Sequence, residues 1–176
     1  MINDVWGKLR TLNDQGVLDA INWMGGNLVY VAPSGDNANY GRFDSPLLTL
    51  DGTNGAYARL RTGKDDAVVI MPDRDSGLSG SASSCTIRLD AAFLWNKSAT
   101  HLIGLNPYFA PLVFSPRARI APTAATTAFA NFFTVDSATE GCLFRGVQFL
   151  QDFNTDTTAQ ICVTVKGARN VFQNCH

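Results

Sequence analysis

The most constraining feature of this chain is a phrase that it spells twice near its C-terminal end. Phe133 falls on Ile161, Val135 on Val163, Leu143 on Val171, Phe144 on Phe172 and Val147 on Cys175, each pair apolar and each 28 positions apart. In both copies two short β-prone runs are parted by a polar turn, residues 136–141 in the first and 166–170 in the second. Self-similarity at a period of about 20–50 residues marks a solenoid, because one repeat cannot bury its apolar face until a neighbour stacks on it. The runs have the length of strands, so the expected repeat is one turn of a β-solenoid. That expectation has a sharp consequence: Phe144 and Phe172 must lie on adjacent turns.

The rest of the chain has the same texture. Short β-prone runs recur at residues 28–32, 67–71, 86–89, 93–95, 101–105, 112–114, 131–135, 143–149, 161–165 and 171–175, parted by Gly, Pro, Asn and Asp. A short helix is expected over residues 56–60. Strands at such intervals predict an all-β domain. Acidic residues are Asp with the single exception of Glu140, which suits a turn-rich β protein because Asp favours turns and Glu favours helices. With 11 Phe in the chain, a solenoid would stack aromatics inside from turn to turn.

Residues 1–26 read differently. Val5, Leu9 and Leu12, then Val17, Leu18 and Ile21, fall near helical spacing, with Asp4 and Asn13 or Asp14 as candidate N-caps and Gly25-Gly26 as a hinge. Trp6, Trp23 and Met24 add apolar bulk. Such an arm is either a cap over the open end of the β domain or a docking peptide for another chain. In the second case Val5, Trp6, Leu9 and Leu12 are the candidate partner interface. Residues 27–176 form the β domain and are expected to continue beyond 176.

Bulk properties narrow the partners. At 176 residues, 45% hydrophobic and 16% charged, the chain is one globular domain. A net charge of −1 with no Lys/Arg run gives no source of phosphate-backbone affinity, so nucleic acid is not an expected partner. No apolar run approaches the ~20 residues of a membrane span, and the first residues lack the pattern of a secretory signal. Cys85, Cys142, Cys162 and Cys175 have no metal-ligand spacing and read as reduced core thiols. Asn96-Lys97-Ser98 matches a glycosylation sequon by coincidence.

Two passages carry a family resemblance. Val29-Tyr30-Val31-Ala32-Pro33-Ser34-Gly35-Asp36, followed by Gly41, Ser45-Pro46 and Thr49-Leu50, resembles the opening of pectate-lyase-like right-handed parallel β-helices. The phrases Leu94-Trp95-Asn96-Lys97-Ser98-Ala99-Thr100-His101-Leu102-Ile103-Gly104-Leu105 and Gly167-Ala168-Arg169-Asn170-Val171-Phe172-Gln173-Asn174-Cys175-His176 resemble β-helical virion proteins of tailed bacteriophages. The likeness spans residues 28–176. It implies a right-handed, single-stranded parallel β-helix with a small helix capping the first rung and a short N-terminal arm or cap. It also implies a virion protein assembled in the host cytoplasm, commonly a homotrimer, that contacts other capsid or tail proteins.

Members of that resemblance class either build the particle or cleave host polysaccharide. Glycoside hydrolysis needs two carboxylates roughly 5–9.5 Å apart. In the 28-residue register Asp136 faces Thr164, Glu140 faces Ala168 and Asp156 faces Ala128, so no carboxylate stacks on another. Asp65-Asp66 and Asp73-x-Asp75 read as turn or surface residues, Arg117-Ala118-Arg119 as a solvated turn, and His101 as a hydrogen-bonded strand residue rather than a base. The lyase residues that ligate calcium and abstract protons have no counterparts here. The expectation is a non-enzymatic structural protein with no catalytic residue, cofactor or metal. The alternative is a receptor-binding tailspike that binds or cleaves host surface polysaccharide.

Overall fold

In a computed structural model the described residues are 19, 21, 25–71, 86–105, 118–123, 129–151 and 161–176. They are almost entirely β. The strands are β1 (Leu28–Val31), β2 (Asp66–Ile70), β3 (Thr86–Leu89), β4 (Phe93–Trp95), β5 (Thr100–Gly104), β6 (Ala118–Pro122), β7 (Asn131–Val135), β8 (Leu143–Arg145), β9 (Val147–Phe149), β10 (Ile161–Val165) and β11 (Val171–Gln173). A single 3-10 turn, Tyr57–Arg59, stands where the short helix was expected.

Every pairing among these strands is parallel, and from β2 onward each of the three sheets collects every third strand, with β1 added to the first. One sheet runs β1-β2-β5-β8-β11, a second β3-β6-β9 and a third β4-β7-β10. The chain therefore visits the three sheets in rotation. The registers stack like on like: Val68, Leu102, Phe144 and Phe172 form one column, Ile87, Ile120 and Phe149 another, and Phe93, Phe133 and Val163 a third. Phe144 and Phe172 lie on paired strands with their rings stacked, centroids 4.6 Å apart and planes 12° from parallel.

The three sheets share one core. Val29, Val31, Val68, Ile70, Leu102 and Phe144 from the first meet Ile87, Leu89, Ile120 and Phe149 from the second and Phe93, Trp95, Phe133 and Val135 from the third. Alternate residues of each strand point inward, as the period of two requires. β2 and β5 are buried along their whole length. Their outward residues Ala67, Val69 and Ile103 pack against Ile21 in a second apolar cluster. At Ile21, then, the N-terminal segment lies on the outer face of the five-stranded sheet. Val5, Trp6, Leu9 and Leu12 fall outside the described residues.

The end of the core at β1 is closed by residues 32–60. Leu47 bridges to Val31 in parallel, its N–H donates to Tyr30 O at 2.9 Å, and Ala32 N–H donates back to Leu47 O at 2.9 Å. Leu47, Leu50, Ala56 and Leu60 bury themselves in the main core. At the other end Ile161, Val165 and Phe172 are exposed although their positions continue the inward columns, and Val171, on the outward face, is exposed beside them.

Three local readings are corrected. The 28-residue offset holds between β8 and β11, but β10 pairs with β7 two residues further on, Val163 against Phe133 and Val165 against Val135. A slip of two keeps the inward face inward, so the core is unaffected. The run 143–149 is two strands, because Gly146 at φ 67° turns the corner between them. Arg117 lies outside the described residues, but Ala118 and Arg119 are no solvated turn: they open β6, with Ala118 fully buried and Arg119 Nε donating to Gln148 Oε1 at 3.0 Å.

Candidate functional site

The corners that return the chain to the five-stranded sheet hold most of the polar chemistry. Asp65, Ala99, Gly141 and Arg169 all have left-handed backbone, at φ 54°, 46°, 73° and 56°. The strand registers place the four in one column. Backbone bonds tie one corner to the next: Asp65 N–H donates to Ala99 O and Ala99 N–H to Glu140 O, both at 2.9 Å.

Asp66 follows the first of these corners. Its carboxylate is fully buried and accepts from Asn27 N–H, Arg61 N–H, Arg61 Nε and Arg61 Nη2 at 2.7–2.9 Å. Burial pushes its pKa up, but the Arg61 guanidinium and the two backbone donors outweigh that and leave it lowered. Such a group is a clamp between the loop at 61, residue 27 and β2, with no lone pair directed to a substrate. It is not the surface residue expected from sequence.

His101, on the outer face of β5, is also fully engaged. Its Nδ1 accepts from Leu143 N–H at 3.1 Å, and its Nε2 lies 3.4 Å from Asp65 Oδ1. Burial lowers its pKa, and the Asp65 carboxylate counteracts this only in part. As a neutral imidazole with Nδ1 already bonded, it has no lone pair to offer as a base.

The Trp95-to-Thr100 phrase forms a joint. Trp95 Nε1 donates to Thr100 Oγ1 at 3.0 Å, and Thr100 Oγ1 donates to Lys97 O at 2.7 Å. Lys97 Nζ reaches Tyr57 O, Ala58 O and Leu60 O at 2.8, 3.3 and 2.7 Å and sits 4.8 Å from the Tyr57 ring centre. It thereby caps the C-terminal carbonyls of the 3-10 turn, sharing Tyr57 O with the Leu60 N–H. Asn96 exchanges two bonds with the Tyr57 hydroxyl, which burial pushes up to about 12. The sequon asparagine is thus a structural contact of the 3-10 turn.

Two carboxylates outside the repeat come close. Asp51 is raised by burial first and by the charge of Asp90 second, while backbone N–H groups of both residues hold it down. The sequence test missed this pair because Asp51 lies in the closing loop, outside the 28-residue register. Continuing the observed register also sets Asp136 beside Lys166 rather than Thr164. Among the described residues no three His, Cys, Asp or Glu side chains are grouped to hold a metal ion. Cys142 is buried, and Cys162 and Cys175 are half-buried free thiols, both raised by burial. Cys142 and Cys175 sit at corners rather than within strands, and Cys85 is outside the described residues.

One open depression, of about 620 Å³, lies where β1 meets the closing loop, lined by Asn27, Tyr30, Tyr40, Arg42 and Arg59. Its rim is held firmly. Asn37 Oδ1 accepts from Leu48 N–H and Thr49 N–H, Asn39 Nδ2 donates to Pro46 O, and Arg59 Nη2 donates to Asn39 O. Gly41 sits at φ 73°, where a side chain is strained, and a Cβ there would press on the Val29 side chain at 3.0 Å. Tyr40 is 79% exposed beneath Arg42, whose guanidinium carbon lies 5.6 Å from its ring centre. Aromatic faces beside guanidinium and amide donors can bind a polar ring; the lining contains no carboxylate, thiol or imidazole to act on it. Asp51 and Asp90 are not part of it.

Among the described residues no helix is long and apolar enough to cross a membrane. No family model, no curated protein and no solved structure matches the chain.

Proposed function

We propose that the chain winds as one right-handed parallel β-helix and serves as a non-catalytic structural protein of a bacteriophage particle, in the capsid or the tail. The observation that carries the reading is how the reactive side chains are employed. Asp66, His101 and Lys97 each direct their polar atoms into bonds between successive turns or onto the closing loop. A core of aromatics in stacked and edge-on contact runs beneath them, reaching the second sheet at Phe149. That arrangement favours rigidity, and the likeness of the Trp95 and Arg169 phrases to virion proteins supplies the setting. The partners are other virion proteins, the assembled form is a homotrimer, and Val5, Trp6, Leu9 and Leu12 dock the arm on a neighbour.

Deleting the gene from a producing phage and imaging the particles tests this. Particles should lose a discrete rod- or plate-shaped density, and a chain lacking residues 1–18 should fold yet fail to rejoin them. Release of reducing ends or unsaturated sugars from host capsule by the purified chain would overturn the non-catalytic reading.

The depression favours a second reading, a tail protein that binds host surface polysaccharide through Tyr40, Arg42 and Arg59. Calorimetric titration with capsule fragments, repeated on Tyr40→Ala, distinguishes it: binding lost in the variant supports it, and no heat from either chain rejects it.

A further inference from the structure

The ladder between β5 and β8 pairs only Leu102 with Phe144 and Ile103 with Arg145, whereas β2 and β5 pair along all five residues. At the point where the β5–β8 ladder begins, Leu143 N–H finds its acceptor in the His101 side chain, Nδ1 at 3.1 Å. Accepting there obliges the neutral ring to carry its proton on Nε2, which faces Asp65 Oδ1 at 3.4 Å. His101 is 8% exposed, so water does not substitute readily for either partner.

We propose that His101 is an acid-sensitive latch across this seam: neutral, it holds the Leu143 amide and fastens β8 to β5; protonated, it pairs with Asp65 and lets that amide go. An imidazolium has N–H on both nitrogens, so Nδ1 would present a donor to a donor, and the bond cannot survive. The charge meanwhile strengthens the contact to Asp65, whose side chain is 37% exposed and able to follow. Two carboxylates act on the charge of the ring. Asp65 and Asp66 precede and begin β2, and Asp66 is already held by Arg61. From β8, Arg145 directs Nη1 to Gln173 Oε1. Ile21, which packs on Ala67, Val69 and Ile103, is apolar.

The direction with pH follows from linkage. Burial lowers the folded pKa of His101 below its ordinary value of about 6.5. The unfolded or opened form then binds the proton more readily, so the latch is intact above about pH 6.5 and loosens as pH falls toward the folded pKa. Between those two pKa values the loss approaches about tenfold per pH unit, and below the folded pKa it levels off.

Amide hydrogen exchange of the full chain, corrected for intrinsic rate and followed from neutral pH to about pH 4.5, reads the latch directly. Leu143 should lose protection as pH falls, while Val68 and Val69 in β2 keep theirs. In His101→Gln, whose side-chain oxygen accepts without titrating, protection of Leu143 should stay flat. In Asp65→Asn the midpoint should move down by about one pH unit, because the carboxylate that favours the imidazolium is gone. Nitrogen-15 shifts of His101 should show a bare Nδ1 at neutral pH and two N–H groups at low pH. A pH-independent Leu143 in the native chain overturns the proposal, as does an equal fall in His101→Gln. Should His101→Gln not fold, an unmoved midpoint in Asp65→Asn overturns it alone.

Discussion

Lys97 illustrates how much a single side chain can organise in this molecule. Its ammonium converges on three carbonyls of the segment 57–60 while its stem belongs to the corner leading into β5. Burial lowers its pKa, with the Asp66 charge opposing. Lys97→Met keeps the stem and removes the donors, and should cost about 2 kcal/mol in urea unfolding, in the range for bonds made by a charged group, with solvent screening reducing it. Lys97→Arg should recover only part, because a planar fork cannot aim at three converging oxygens. A loss near zero for Lys97→Met would mean that water caps the turn equally well. Sequence showed the phrase around Trp95 as distinctive but not why. The left-handed corners were hidden for a similar reason: Ala99 and Arg169 advertise no positive φ, Asp65 does so weakly, and only Gly141 does so plainly.

At the scale of strands, apolar periodicity revealed β3, β4, β7 and β10 with their ends in place. It missed β6, whose Ala118, Arg119 and Pro122 have low strand preference and are held by neighbours on both sides, β3 and β9. The register of the visible repeat was legible at β8 and β11 and wrong by two at β7 and β10. The cause is turn length: seven residues part Val135 from Leu143, and five part Val165 from Val171. Two substitutions probe the stacking. Phe144→Ala removes contacts with Trp95, Phe133 and Phe172 and should cost about 3–5 kcal/mol by denaturant unfolding. Gly104→Ala should cost about 1–3 kcal/mol, since a Cβ there collides with Gly146 O and the Ala118 methyl, neither of which can swing away.

For the whole molecule, the two ends of the core differ. The β1 end is sealed by its closing loop, whereas β10 and β11 are the outermost strands of their sheets among the described residues, beside exposed Ile161, Val165, Val171 and Phe172. Open apolar edges invite pairing between copies. The purified 176-residue chain should therefore associate with rising concentration in sedimentation velocity, and Val165→Lys with Val171→Lys should suppress this without lowering the melting temperature of the first sheets. A chain that stays monomeric at high concentration would show those edges to be shielded. The partner surface itself was assigned by sequence to Val5, Trp6, Leu9 and Leu12, which apolar spacing can nominate but cannot place.

One feature of the registers reaches beyond stability. Returning to the same sheet takes 34 residues from Asp66 to Thr100, 42 from Leu102 to Phe144 and 28 from Leu143 to Val171. Excess length leaves at the excursions between sheets, so the outline of the protein is editable while its interior stays fixed. A foreign epitope grafted into such an excursion would be displayed on a stiff mount of paired strands, beside whichever strand of the sheet the excursion adjoins.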